Sequence, residues 1–151
     1  MLLKAKNISP DLFAQYTSRM PAGLKVTSDY YNALNASDVC VVASGTATLE
    51  TGIMGKPMVV IYRTSWLTWL IAKAVIRIPY IALVNIVAGK KAAEELLQHN
   101  ASPKKIAAAL AGLIQNPERA RAIRRDLAGL KARLGSPGAS HRAAKIILEE
   151  I

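Results

Sequence analysis

The segment Ser44-Gly45-Thr46-Ala47-Thr48-Leu49-Glu50 holds the residue types that an anionic, hydroxyl-bearing ligand needs. It follows the apolar run 38–43, "DVCVVA", so it falls where a buried strand gives way to a helix. The first amides of a helix have no partner inside it, and the aligned peptide dipoles add about half a positive charge there. A glycine lets a diphosphate come close to that backbone. Ser44, Thr46 and Thr48 add hydroxyl donors. Glu50 is a poor neighbour for a phosphate and a good one for a sugar diol, because one carboxylate accepts from two adjacent hydroxyls. Diphosphate at the helix start and ribose at the acid together describe a nucleotide. A second reading fits the same spacing: the hydroxyls cap the helix, and Glu50 complements its dipole. A lone glycine-containing turn does not separate the two.

The elements that would position this turn alternate along the chain. Residues 2–6 suit a short strand. Ser9-Pro10 opens a helix, since proline fits the first helical position. "LKVTS" (24–28) is strand-like and "DYYNALNAS" (29–37) a short helix. "DVCVVA" is a buried strand, a helix runs from Gly45 to about Met54, and "GKP" (55–57) breaks it. "MVVIY" (58–62) is the next buried strand. Ser65 caps a helix over "WLTWLIAKAVIRI" (66–78). "YIALVNIV" (80–87) reads as strand or extended chain, and "KKAAEELLQ" (90–98) as helix. "SPKKIAAALAGLIQ", "NPERARAIRRDLAGLKARLG" and "GASHRAAKIILEEI" make the last third all-helical. Buried strands without polar alternation, separated by helices, predict an α/β fold whose parallel sheet is covered on both faces. "GSPG" (135–138) is the clear hinge and sets the last helix apart.

With 151 residues, 52% of them hydrophobic and 20% charged, the chain has the composition of one globular domain and not of a disordered one. Its net charge of +10 favours anionic partners: nucleic acid, phospholipid headgroups or phosphorylated substrates. A solvated basic surface explains the charge equally well. The single cysteine, Cys40, lies in the apolar run and reads as a buried, inert thiol. His99 and His141 are far apart, no Cys/His spacing suggests a metal, and no cofactor is expected. The first ten residues lack a signal-peptide pattern. The most apolar stretch, 66–87, is interrupted by Lys73, Arg77 and Pro79, short of the ~18 apolar residues of a spanning helix.

Two longer blocks, "ASDVCVVASGTATLETGIMGKPMVVIYRTSWLTWLIAK" (36–73) and "IPYIALVNIVAGKKAAEELLQ" (78–98), resemble lipid-A-disaccharide synthase. The family pattern is an "ASGTATLE" helix start, a "GxPMVVxYR" strand, then a "PNxxAG…ELLQ" region. The three occur here in order, and the resemblance covers residues 30–130. It implies the GT-B glycosyltransferase architecture, two Rossmann-like halves around a cleft. This chain resembles the C-terminal, UDP-binding half. Residues 1–134 are expected to form that domain. Residues 135–151 are expected to be a hinge and helix that pack on a missing N-terminal domain or another protomer. The reaction implied is transfer of 2,3-diacylglucosamine from its UDP derivative to 2,3-diacylglucosamine 1-phosphate. The products are UDP and a β-1,6 disaccharide 1-phosphate, in lipid A biosynthesis.

Carried over by position, the resemblance places Ser44, Gly45 and Thr46 near the donor diphosphate and matches Glu50 to the acid that holds the ribose hydroxyls. Tyr62 and Arg63 end the next strand at the same rim. There Arg63 would neutralise charge on departing UDP, or pair with an acid on the surface. Asn85 matches an asparagine important to the family and is the one catalytic candidate, although Val84 replaces the usual preceding proline. Glu95 and Gln98 match the end of "ELLQ" and would reach the donor sugar, or stand exposed on a helix. The general base is expected in the missing half, so the chain alone is expected to be inactive. Acylated substrates imply a peripheral seat on the cytoplasmic face of the inner membrane. Trp66, Trp69, Lys73 and Arg77 are candidate membrane contacts, and packing of that helix on the sheet is the alternative. The family's intertwined dimers make self-association a further expectation.

Two rival functions fit parts of the sequence. Another UDP-sugar transferase of this architecture, such as the one that builds the peptidoglycan disaccharide, shares "SGTATLE" but not the two later blocks. A basic nucleic-acid-binding module would need more than the one dense cluster at 119–133 and more interleaved aromatics, so nucleic acid is not expected as a partner.

Overall fold

The computed structural model describes residues 1–5, 7–21, 23–75 and 78–149. In chain order the elements are β1 (Leu2–Leu3), α1 (Pro10–Thr17), β2 (Val26–Thr27), α2 (Tyr30–Asn35), β3 (Cys40–Ala43), α3 (Thr46–Ile53) and β4 (Met58–Tyr62). They continue with α4 (Trp66–Val75), α5 (Leu83–Ala88), β5 (Glu94–Leu97), a 3-10 turn at Gln98–Asn100, α6 (Pro103–Ile114), α7 (Pro117–Ala128), α8 (Leu130–Arg133) and α9 (Ala139–Glu149). The proline-led helices start where their caps require. Ser9 accepts from the Leu12 amide, Ser102 from that of Lys105, and Asn116 from that of Arg119.

Among the described residues all strand pairing is parallel. β3, β4 and β5 form one sheet with β4 central, Val41 opposite Val59 and Val60 opposite Glu95. β1 and β2 form a separate two-stranded sheet. Met58, Val59 and Val60 are wholly buried, and each such side chain contributes about 1.5–3 kcal/mol relative to exposure. Their alternation splits the core in two. Met58 and Val60 pack with Val42, Val84, Leu127 and Leu130 on one face, and Val59 packs with Leu96, Ala101 and Leu113 on the other. The sheet is therefore covered on both sides, as in a Rossmann-like half-domain.

α3 lies close to two neighbours. A Cβ on Gly52 would stand 2.7 Å from Val84 Cγ2 and 2.8 Å from Leu130 Cδ1. Only glycine permits that approach.

Two elements differ from the sequence expectation. Residues 83–88 are helix and not strand, and residues 94–97 are strand and not helix. "LVNIVA" is apolar on every side, a pattern shared by buried strands and short buried helices. Gly89 ends it in the left-handed region at φ 65°. "EELL" is built of good helix formers, but pairing along β4 and side-chain partners for both glutamates override that preference. Glu94 meets Arg119 at 3.0 Å, and Glu95 bonds to the start of α5.

Among the described residues no helix is long and apolar enough to cross a membrane. Cys40 is half-buried, and burial pushes its thiol pKa up while Ser37 and Lys56 pull it back. That is the environment of an unreactive thiol. The segment expected to be a hinge turns through Gly135 and Gly138, at φ 76° and 92°, and is tied to α9 by Arg142, which donates to the carbonyls of Pro137 and Ser136. Every described residue from Gly135 onward is exposed.

Candidate functional site

The turn between β3 and α3 is open. Ser44 follows the last residue of β3, and its amide is bonded to the Ile61 carbonyl at 2.9 Å, which fixes the turn to the end of β4. Gly45 then adopts φ 155° and ψ −165°, a conformation that L side chains rarely take. No side chain caps α3. Among the described residues no acceptor reaches the amides of Gly45, Thr46 or Ala47. Gly45 and Thr46 are exposed, and a Cβ on Gly45 would meet nothing within 4 Å. Unpaired amides at the positive end of a helix dipole, with free space before them, are an anion cradle.

The expected hydroxyls divide. Ser44 Oγ has only a long contact, 3.5 Å, to the Ile81 carbonyl, and Thr46 faces solvent. Thr48 is wholly buried, and its hydroxyl donates to the Gly45 carbonyl at 2.7 Å, so it braces the turn from inside. The donor set facing outward contracts to Ser44 and Thr46. Glu50 is half-buried one helical turn beyond Thr46, on the same face of α3. Among the described residues its carboxylate has no ion pair and no hydrogen bond of ordinary geometry, although the Tyr30 hydroxyl lies beside it, so it is available to a ligand. Helix-dipole complementation is the weaker account of this glutamate, because its place beyond the first turn of α3 is outside the reach of that effect.

Tyr62 is half-buried at the end of β4 and Arg63 is exposed just beyond it, at the carboxyl edge of the sheet. The remaining expected residues are engaged within the fold. Asn85 is wholly buried. Its Nδ2 donates to the Ala93 carbonyl at 2.9 Å and to Glu95 Oε1 at 2.8 Å, and its Oδ1 accepts from the Ala93 amide at 2.7 Å. Glu95 also accepts from the amides of Ile81 and Ala82, at 3.1 and 3.0 Å, ahead of α5. Gln98, at φ 50°, accepts from the Thr64 amide at 3.0 Å and donates to the Thr64 carbonyl at 3.2 Å. These three fix the backbone at the carboxyl edge.

Sequence reasoning missed the residues that stand between these groups. Thr64 and Ile81 take part through their backbones, which no side-chain pattern announces. Tyr30, at the start of α2, lies beside Glu50 and Thr51, twenty positions away in sequence. Only the side-by-side packing of consecutive β-α units brings it there.

Of the expected membrane contacts, Trp66 and Lys73 are exposed, Trp69 is half-buried, and Arg77 lies outside the described residues. Ser65 caps α4 by accepting from the Thr68 amide at 3.1 Å. α4 is not packed flat on the sheet: Trp66 and Val75 are each 73% exposed and Leu67 is 67% exposed. A cavity of about 490 Å³ lies elsewhere, beside Asp38 and Val39 at the amino-terminal edge of β3.

A family model described as Lipid-A-disaccharide synthetase matches residues 11–150. The chain is 46% identical over 129 residues to the lipid-A-disaccharide synthase of Syntrophus aciditrophicus (strain SB), an alignment covering 85% of this chain and 34% of that protein. It is 42% identical over 125 residues to the synthase of Geobacter sulfurreducens, covering 82% and 33%. It is 36% identical over 148 residues to that of Trichlorobacter lovleyi, covering 97% and 39%. The chain thus spans about a third of the length of the curated relatives it matches. With nearly the whole chain matched in order, including the turn, the β4 rim and the Asn85–Gln98 segment, the chain belongs to the lipid-A-disaccharide synthetase family of glycosyltransferases.

Proposed function

We propose that this chain is the nucleotide-binding part of a lipid-A-disaccharide synthase, with UDP held between the β3–α3 turn and Glu50. The observation that carries the reading is the Gly45 turn, where three successive amides have no partner among the described residues and the space at Gly45 is open. The diphosphate sits against these amides and the hydroxyls of Ser44 and Thr46. The ribose diol donates to Glu50. Tyr62 and Arg63 border the same rim, where Arg63 offsets the charge that develops on departing UDP. Asn85, Glu95 and Gln98 position the backbone that meets the donor sugar.

In the reaction the 6-hydroxyl oxygen of 2,3-diacylglucosamine 1-phosphate attacks the anomeric carbon of UDP-2,3-diacylglucosamine. The anomeric carbon–oxygen bond to the β-phosphate breaks, UDP leaves with the bonding electrons, and the hydroxyl proton passes to a base. That base is assigned to the part of the longer protein outside this chain, and the chain alone is inactive because positioning needs both walls of the cleft. The exposed aliphatics and Trp66 of α4, with Lys73, seat the protein peripherally on an anionic bilayer from which acylated substrates enter. The exposed α9, beyond the hinge, packs on that missing part or on a second protomer.

Calorimetric titration of the chain with UDP tests the central claim. Uptake of one UDP that persists at raised salt is expected. A well-folded sample that takes up no UDP overturns the reading, and disaccharide formation by the purified chain overturns the assignment of the base.

A further inference from the structure

Among the described residues, the Tyr30 hydroxyl is the one buried side-chain nitrogen or oxygen without a hydrogen-bond partner. Buried polar groups in folded proteins are nearly always paired, so an orphan points to a partner supplied in another state. The side chains around this hydroxyl are those of Thr51 and Glu50, near enough to act on the phenol electrostatically but not in the distance and alignment of a made hydrogen bond. Thr51 donates its own hydrogen to the Ala47 carbonyl at 2.7 Å. The ionised Glu50 can only accept.

Tyr30 is held from several sides. α2 begins at Asp29, whose carboxylate accepts from the Asn32 amide at 3.3 Å and from Asn32 Nδ2 at 2.7 Å. Its far end is tied to the segment after α3 by Lys56, which donates to the carbonyls of Asn35 and Ser37 at 2.7 and 3.1 Å. The Tyr31 ring lies edge-on to that of Tyr30, with centroids 5.3 Å apart. The phenol therefore stays beside α3. Burial, with the Glu50 carboxylate adding to it, raises the phenol pKa above its ordinary value. The group is thus protonated, and a donor, at neutral pH.

We propose that Tyr30 is a positioning residue: when the nucleotide seats, its hydroxyl donates to one lone pair of Glu50 and turns the others towards the ribose diol. The proton remains on Tyr30. This rests on the reading of Glu50 as the pentose-binding carboxylate, and the test separates the two.

The test titrates the chain, Tyr30→Phe and Glu50→Gln with UDP and with 2′-deoxy-UDP, alongside thermal melting of each free protein. The wild type is expected to favour UDP by about tenfold, the scale of one well-made hydrogen bond to a charged acceptor. Glu50→Gln should abolish that preference. Tyr30→Phe should reduce it to about threefold and leave 2′-deoxy-UDP affinity within twofold, with no loss of melting temperature because an orphan has been removed. Full discrimination in Tyr30→Phe, alongside its loss in Glu50→Gln, overturns the role of Tyr30 and leaves the site intact. A lowered melting temperature or an unfolded Tyr30→Phe overturns it too, since the hydroxyl would then be engaged in the free protein. Absence of UDP binding by the wild type overturns both.

Discussion

The amides of Gly45, Thr46 and Ala47 have no acceptor among the described residues, whereas both amide hydrogens of the Asn85 side chain, and its oxygen, are engaged. The first group borders solvent and the second is wholly buried on the inner side of α5. Both belong to the blocks that identify the family. A family pattern therefore mixes residues left open at the surface with residues that hold the walls. Distances and burial sort them, and spacing cannot. Unpaired groups at a rim are the condition for binding, and fully paired groups in the interior are the condition for a rim that keeps its shape.

Substitutions can break or sharpen this contrast. The largest effect is expected from Asn85→Asp, which sets a carboxylate against Glu95 and the Ala93 carbonyl. A loss of about 3 kcal/mol or more is expected in denaturant unfolding, as for an uncompensated buried charge. A loss under about 1 kcal/mol would remove Asn85 from the group of wall residues. Gly45→Ala comes next. It forces a side-chain-bearing residue into the φ 155° conformation, at about 1–3 kcal/mol. Because the strain falls on the cradle, UDP affinity should drop at least tenfold, measured by calorimetry. The smallest stability effect is expected from Glu50→Gln, within about 0.5 kcal/mol for a side chain without a partner in the free protein. UDP affinity should still fall about five- to tenfold, or about 1–1.4 kcal/mol. If Glu50→Gln instead proved as destabilising as Asn85→Asp, the contrast would fail.

Much of this organisation was legible from residue types. The caps at Ser9, Ser65, Ser102 and Asn116, the strands β3 and β4, and the break at Gly55-Lys56-Pro57 each follow from local chemistry, and the folded chain has them. Only β4 is the buried run expected, because β3 lies at the sheet edge with Val41 and Ala43 exposed. The glycine turn was legible for the same reason, since few residues pass from strand to helix in so short a space. Residues 83–97 were not. There Asn85 imitates a strand partner for Ala93 and Glu95 stands at the start of a helix ahead of it in the chain. Both arrangements exist only once β5 lies along β4, so a local reading assigned the helix and the strand the wrong way round. The same long-range packing hid Tyr30 from its neighbour Glu50, and it turned Thr48, a plausible donor by spacing, into an internal brace.

The bare Cα of Gly52 has a mechanical consequence. With Val84 and Leu130 filling the space a methyl group would occupy, α3 cannot roll or slide without displacing α5 and α8 together. α8 is the last helix before Gly135, so a shift of α3 beneath the candidate ligand would bear on the start of the C-terminal segment.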